Sequence, residues 1–214
     1  LSLINDILDV SAVEAGKLEL QPEPVDVKGV VLTCLKFVQH RAHSAAVKLS
    51  HHMEKDIPSL LCAERRLKQV LLTLLSKAGK FTPEDGRVTL NVLHASDGGL
   101  RFEIEDTGIG MDELGIETAL TQFGQVDSKL SRRYDGTGLG LPLSKSLSEL
   151  HGGKLDIRSR LGHGTPVVAH FPPERTIMRE CQGVKAKSPN PDVPGEGRTT
   201  ESGERGEEKI KTVK

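Results

Sequence analysis

Three glycine clusters and one carboxylate are the features of this 214-residue sequence with the types and spacing to do chemistry. DTGIGM occupies 106–111, GTGLG 136–140 and GHGT 162–165, on loops that flank expected strands or open a helix. Glycine lets backbone N–H groups approach and point at phosphate oxygens, and a helix beginning near Leu139 would add its positive N-terminal end. One such cluster is equally a set of turns, whereas three on one sheet edge form a pattern. Asp106 ends the alternating run RFEIED and precedes a flexible loop. A carboxylate there can accept a hydrogen bond from a donor such as the exocyclic amine of adenine, or simply cap the strand.

A fourth candidate stretch is LLTLLSKAGKFT, residues 71–82. It reads as the end of an amphipathic helix running into a polar loop, with Lys77 and Lys80 close together. Gly79 inside that helix costs about 1 kcal/mol relative to Ala.

The elements that must hold these residues follow from periodicity. Leu1, Ile4, Leu8, Ala12 and Ala15 share a helical face that Gly16 terminates, and KLELQPEPVDV is an extended connector leading into a strand, because Pro22 and Pro24 forbid a regular helix. The spacing predicts a second helix from Lys28 to about Ala46, a strand at VKLSHHME, a loop at 56–59, and a third helix from about Ala63 towards Lys80. That third helix buries Leu67, Val70, Leu71, Leu74 and Leu75. RVTLNVLHA and LRFEIED alternate on either side of SDGG, a hairpin signal. A short helix follows DTGIGM, another runs from about Leu141 to His151, and KLDIRSR with TPVVAHF forms a closing hairpin. The expected class is α+β: a two-layer sandwich of a mixed or antiparallel sheet with helices on one face. Few apolar residues follow Pro172, so a disordered tail is expected over 173–214.

Composition narrows the partners. Lys plus Arg number 29 against 30 Asp plus Glu, a formal net charge of -1, so overall charge argues for neither nucleic acid nor an anionic membrane. There is no apolar run of about 18 residues to cross a bilayer. Cys34, Cys62 and Cys181 are far apart and lack metal-ligand spacing, which fits a reducing cytoplasm.

Taken in order, these motifs resemble the C-terminal core of bacterial sensor histidine kinases, a branch of the GHKL superfamily, over residues 1–172. LSLINDILDVSAVEAGKLEL is similar to the second helix of the dimerisation and phosphoacceptor hairpin and the strand after it. RRLKQVLLTLLSKAGKFTP resembles the N box, DTGIGM the first glycine box, and QFGQVDSKLSRRYDGTGLGLPLSKSLSELHGG the F box with the second glycine box. GHGT resembles the last glycine box. The resemblance implies a Bergerat-type ATP-binding fold divided as 1–16 (hairpin helix), 17–172 (ATP-binding domain) and 173–214 (tail). It implies ATP as the nucleotide, Mg²⁺ as its metal, a homodimer through the dimerisation helices, a response regulator as partner, and a cytoplasmic location, including the cytoplasmic part of a membrane-bound sensor.

Position by position, the resemblance implies that Asp106 binds the adenine amine, with Thr165 helping through water, and that Gly108 and Gly110 shape the adenine pocket. Gly136, Thr137, Gly138, Leu139 and Gly140 would wrap the phosphates. The segment 122–135, containing Phe123, would be a mobile lid, and Lys80 would reach the phosphates.

The sequence departs from the family twice. The N box carries Asn where this chain has Thr73 and Lys77, one helical turn apart on one face. The second Asn gives Mg²⁺ a carboxamide oxygen, and an ammonium has no lone pair to give. At about 4 Å and an intermediate dielectric, each unit of metal charge would repel that lysine by roughly 4 kcal/mol before screening. Lys77 could instead swing onto the phosphates and replace part of the metal's charge, or point into solvent beside a damaged site. The other departure is an absence: none of the eight His residues has the phosphoacceptor's context. His40, His43, His51 and His52 are expected as surface or satisfied polar residues.

The leading function is therefore transfer of the ATP γ-phosphoryl group to a His on a dimerisation helix outside this chain. The alternative is a degenerate nucleotide-binding module that regulates without transferring phosphate, with Lys77 as its main support. A GHKL ATPase of the chaperone, topoisomerase or mismatch-repair type would need a general-base Glu where Thr73 stands, and an unperturbed hydroxyl cannot replace it.

Overall fold

Strict alternation in the two longest β runs sets the architecture, because it gives one sheet face to the core and the other to water. The computed structural model describes residues 2–124 and 137–177. Its helices are α1 (Ser2–Glu14), α2 (Val27–Ser44), α3 (Glu64–Phe81), α4 (Glu113–Leu120) and α5 (Gly140–Leu150). The strands are β1 (Glu23–Val25), β2 (Lys48–Met53), β3 (Ser59–Cys62), β4 (Arg87–His94), β5 (Leu100–Asp106), β6 (Lys154–Ile157), β7 (Val167–Phe171) and β8 (Thr176–Ile177).

The main sheet runs in the order β2-β4-β5-β7-β6; β2 pairs parallel to β4 and every other pair is antiparallel. Val88, Leu90 and Val92 of β4, Phe102 and Ile104 of β5, and Val167, Ala169 and Phe171 of β7 supply the buried face. Helices α2, α3 and α5 cover it with Val31, Leu35 and Val38, with Leu67, Leu71 and Leu75, and with Leu143 and Leu147. Full burial of each such side chain contributes about 1.5–3 kcal/mol. Phe102 meets Phe171 edge-on at 5.6 Å, joining β5 to β7 behind the loop that carries Asp106. The expected α+β class, with a mixed sheet and helices on one face, is the observed one.

A second sheet, β1-β3-β8, joins the extended segment after α1 to two short strands, at 59–62 and 176–177, that the sequence reading did not expect. Strand β3 buries Leu60 and Cys62 completely, and it begins at Ser59, the last residue of the expected loop. The start of the expected tail also needs correcting. Pro173–Arg175 form a 3₁₀ turn and Thr176–Ile177 pair with β3, so the ordered fold continues past residue 172. Arg175 holds this return by donating from Nε to the His151 carbonyl at 3.0 Å.

Helix α1 docks through a different side from the apolar face read in the sequence. Val10 and Val13 pack against the core cluster, while Arg66 of α3 donates to Asp9 at 2.6 Å and Gln69 donates to the same oxygen at 2.9 Å. Ile4 and Leu8, on the expected face, are 59% and 61% exposed. Cys34 and Cys62 are buried free thiols, and burial pushes them up to about 11 and about 12, which makes both unreactive. His40, His43, His51 and His52 are exposed.

Candidate functional site

Strand β5 delivers Asp106 to the sheet edge, where the chain turns immediately into the first glycine cluster. Burial pushes the Asp106 carboxyl upward, and hydrogen bonds from the backbone N–H groups of Gly108 and Thr165 offset part of that shift. The Gly108 N–H donates to Asp106 Oδ1 at 2.8 Å. Residues 106 and 165 are thus brought together.

The floor around this carboxyl admits no side chains. A Cβ on Gly108 would lie 2.4 Å from the Phe81 carbonyl oxygen, and one on Gly164 would lie 1.8 Å from the Asp106 carbonyl oxygen. Gly164 also has φ +83°, a conformation that L side chains rarely adopt. The Ile109 N–H donates to the Phe81 carbonyl at 3.2 Å, tying this loop to the end of α3. Gly110 is pressed against Arg160 in the same way.

The second glycine cluster leads into the start of α5. Leu139 is the N-cap and makes no side-chain cap, so the first turn of α5 carries positive backbone ends without a side-chain acceptor. Pro142 fits this first turn because its missing N–H would have had no helical partner. Thr137 Oγ1 accepts the Leu139 N–H at 3.3 Å. Gly138, at φ +73°, lets the backbone of Phe123 approach: a Cβ there would meet it at 2.5 Å. Phe123 itself is 62% exposed with φ +60°. Gly136 and residues 125–135 of the expected lid lie outside the described residues.

Thr73 and Lys77 face this helix start. A Cβ on Gly140 would stand 3.0 Å from Thr73 Cγ2, 3.2 Å from Lys77 Cε and 4.0 Å from Lys77 Nζ. Lys77 is therefore half-buried against the start of α5, not fully extended into solvent, which was one of the two outcomes the sequence left open. Burial lowers its pKa from the ordinary lysine value, and the charge of Lys80 lowers it further. Lys80 Nζ lies 5.4 Å from the centre of the Phe81 ring. These residues do not fit Mg²⁺: the position expected to give it an oxygen holds an ammonium, and the hydroxyl of Thr73 does not replace a carboxamide. Among the described residues no group of three or more His, Cys, Asp or Glu could hold a metal ion.

Two further residues organise the site and were missed in the sequence. Ser159 accepts the Met111 N–H at 2.7 Å and lies 3.0 Å from the Gly164 carbonyl and 2.8 Å from Thr165 Oγ1, joining the first and last glycine clusters. His151 is 1% exposed; its Nδ1–H donates to the Leu147 carbonyl at 2.7 Å, and its Nε2 accepts the Ala63 N–H at 3.1 Å. One neutral imidazole thus ties the end of α5 to the start of α3, the two helices that meet at Lys77 and Gly140. The only local signal for it was the following pair of glycines, which reads as a helix stop.

The profile of the family described as histidine kinase-, DNA gyrase B-, and HSP90-like ATPase matches residues 62–175. The cell-division control histidine kinase PdhS of Brucella anthropi is 36% identical over 185 residues, which is 83% of this chain and 18% of that protein. The circadian input-output histidine kinase CikA of Synechococcus elongatus is 38% identical over 184 residues, 85% of this chain and 24% of that protein. The chain thus spans about a quarter or less of these two relatives' length. Among solved structures, full-length ShkA in complex with AMPPNP superposes with a TM-score of 0.72 at 31% identity, covering 83% of this chain and 36% of that one. The Acinetobacter baumannii histidine kinase AdeS, at 21% identity and a TM-score of 0.61 over 80% of this chain and 77% of its own, has the same fold.

Proposed function

The chain belongs to the histidine kinase-, DNA gyrase B- and HSP90-like ATPase family, and from that premise we propose that it is the ATP-binding catalytic domain of a two-component sensor histidine kinase. The observation that carries this reading is the setting of Asp106. Its partly buried carboxyl stands over a glycine floor, on the same chain as the uncapped start of α5. Asp106 accepts from the adenine amine, and Gly108, Gly110 and Gly164 let the loops behind it pack backbone against backbone, which fixes the shape of the pocket. Thr165 is positioned by Ser159 to assist.

The triphosphate runs towards the first turn of α5, where the Gly138, Leu139 and Gly140 backbone and the helix dipole favour negative charge. Gly136 and Thr137 extend that cradle, Phe123 begins the lid, and Lys80 contributes positive charge. The γ-phosphoryl is presented to an imidazole on a dimerisation helix outside this chain. Catalysis is then positioning of the attacking nitrogen in line with the leaving oxygen. The corresponding partners are a second copy through the dimerisation helices and a response regulator, in a reducing cytoplasm that suits the free Cys34 and Cys62. Among the described residues no helix is long and apolar enough to cross a membrane.

Lys77 favours a second reading, a nucleotide-binding module that regulates a partner kinase without transferring phosphate. The two separate when the chain is mixed with a His-bearing dimerisation hairpin and γ-labelled ATP. Labelling of the hairpin supports transfer; nucleotide binding without labelling supports the regulatory module.

A further inference from the structure

We propose that this site takes its adenine nucleotide as the metal-free anion, with the Lys77 ammonium standing where the resemblance expects a divalent cation. The inference rests on the nucleotide-binding reading above and specifies the form of its ligand.

The Lys77 ammonium has no counter-charge among the described residues. Lys77 Nζ makes no hydrogen bond or ion pair among the described residues, although burial and Lys80 both act against its charged form. A half-buried cation gains from an anionic or hydrogen-bonding partner, because its partial desolvation is otherwise uncompensated. This ammonium instead lies against Gly140, where the first turn of α5 adds backbone donors and the positive end of an 11-residue helix. The Lys77 ammonium and the start of α5 thus meet with no described side-chain acceptor for the lysine. The ligand that completes such a set is a polyanion, and its phosphates would stabilise the charged form of Lys77.

The same geometry disfavours a metal-complexed nucleotide. A divalent ion on the phosphates would have to share the space beside Thr73 and Gly140 with a like charge, and it would receive no oxygen from position 77. Lysine supplies the phosphates with a point charge and three donors, so the free nucleotide gains a contact that its magnesium complex must displace. Magnesium in solution then lowers occupancy of the site by withdrawing free nucleotide into the complex.

Calorimetric titration of ADP into the full chain, with EDTA or with Mg²⁺, tests this on the unchanged protein, Lys77→Ala and Lys77→Asn, with circular dichroism to verify folding. The unchanged protein should bind in EDTA and bind no more tightly with Mg²⁺. Lys77→Ala should lose roughly tenfold or more in EDTA, an equilibrium change of about 1.4 kcal/mol. Lys77→Asn should bind better with Mg²⁺ than without it. If the unchanged protein binds only with Mg²⁺, or if Lys77→Ala binds equally well in EDTA, the proposal is overturned while the nucleotide reading stands. Absence of binding by every protein in both conditions overturns both.

Discussion

Lys77 and Gly140 meet across the gap between α3 and α5, with only 3.2 Å between Lys77 Cε and the position a Cβ on Gly140 would take. The contact makes Gly140→Ala a selective probe. The added methyl meets flexible side-chain atoms of Thr73 and Lys77, which can give by a few tenths of an ångström, and Ala gains up to about 1 kcal/mol of helix propensity. Thermal melting should therefore change little, whereas nucleotide affinity should fall by roughly threefold to tenfold, about 0.6–1.4 kcal/mol, as the lysine is pushed aside. Melting and nucleotide titration on the same variant read the two effects separately.

Gly162 and Gly164 separate backbone strain from close approach. Both have positive φ, at +75° and +83°, but a Cβ on Gly162 meets nothing within 4 Å whereas one on Gly164 lies 1.8 Å from the Asp106 carbonyl oxygen. Gly162→Ala should cost about 1–2 kcal/mol, the ordinary penalty of a left-handed L residue. Gly164→Ala must also displace the strand end that carries Asp106, so its cost should exceed that by about 1–3 kcal/mol. Urea unfolding of the two variants measures the difference.

Much of this was legible in the sequence because it repeats. Leu67, Val70, Leu71, Leu74 and Leu75 mark α3 by their spacing, and β4 and β5 alternate over eight and seven residues. Strands β1, β3 and β8 have three, four and two residues, too short for a period to register, and β8 owes its existence to a partner over a hundred residues earlier. The site divides similarly. Asp106 and the glycines announce themselves by clustering, but nothing around Ser159 indicates that its hydroxyl reaches Met111, 48 residues away. Lys77 was legible as an anomaly, and only the packing of α3 against α5 shows where it points.

His151 gives the fold a pH dependence with a defined sign. Burial lowers its pKa from the ordinary value of 6.5, with the Leu147 carbonyl opposing and Arg175 adding to the shift. The unfolded chain therefore binds the proton more readily than the folded one. The contribution of His151 to stability is fully present above about pH 6.5 and is lost as pH falls from there through the lowered folded value. His151→Ala should cost about 2–4 kcal/mol at neutral pH, from the cavity and the unpaired Ala63 N–H. It should also flatten the acid side of the stability profile, as urea unfolding across pH 5–8 would show.

The most direct measurement is competition between adenine and guanine nucleotides for the chain, with and without Asp106→Ala. A carboxyl acceptor matches the adenine N6 amine and opposes the guanine O6, so ADP should outcompete GDP by roughly a hundredfold or more, about 2.7 kcal/mol. Asp106→Ala should erase most of that preference while remaining folded. Equal competition by GDP, or an undiminished preference in Asp106→Ala, would contradict the assignment of this pocket as an adenine nucleotide site.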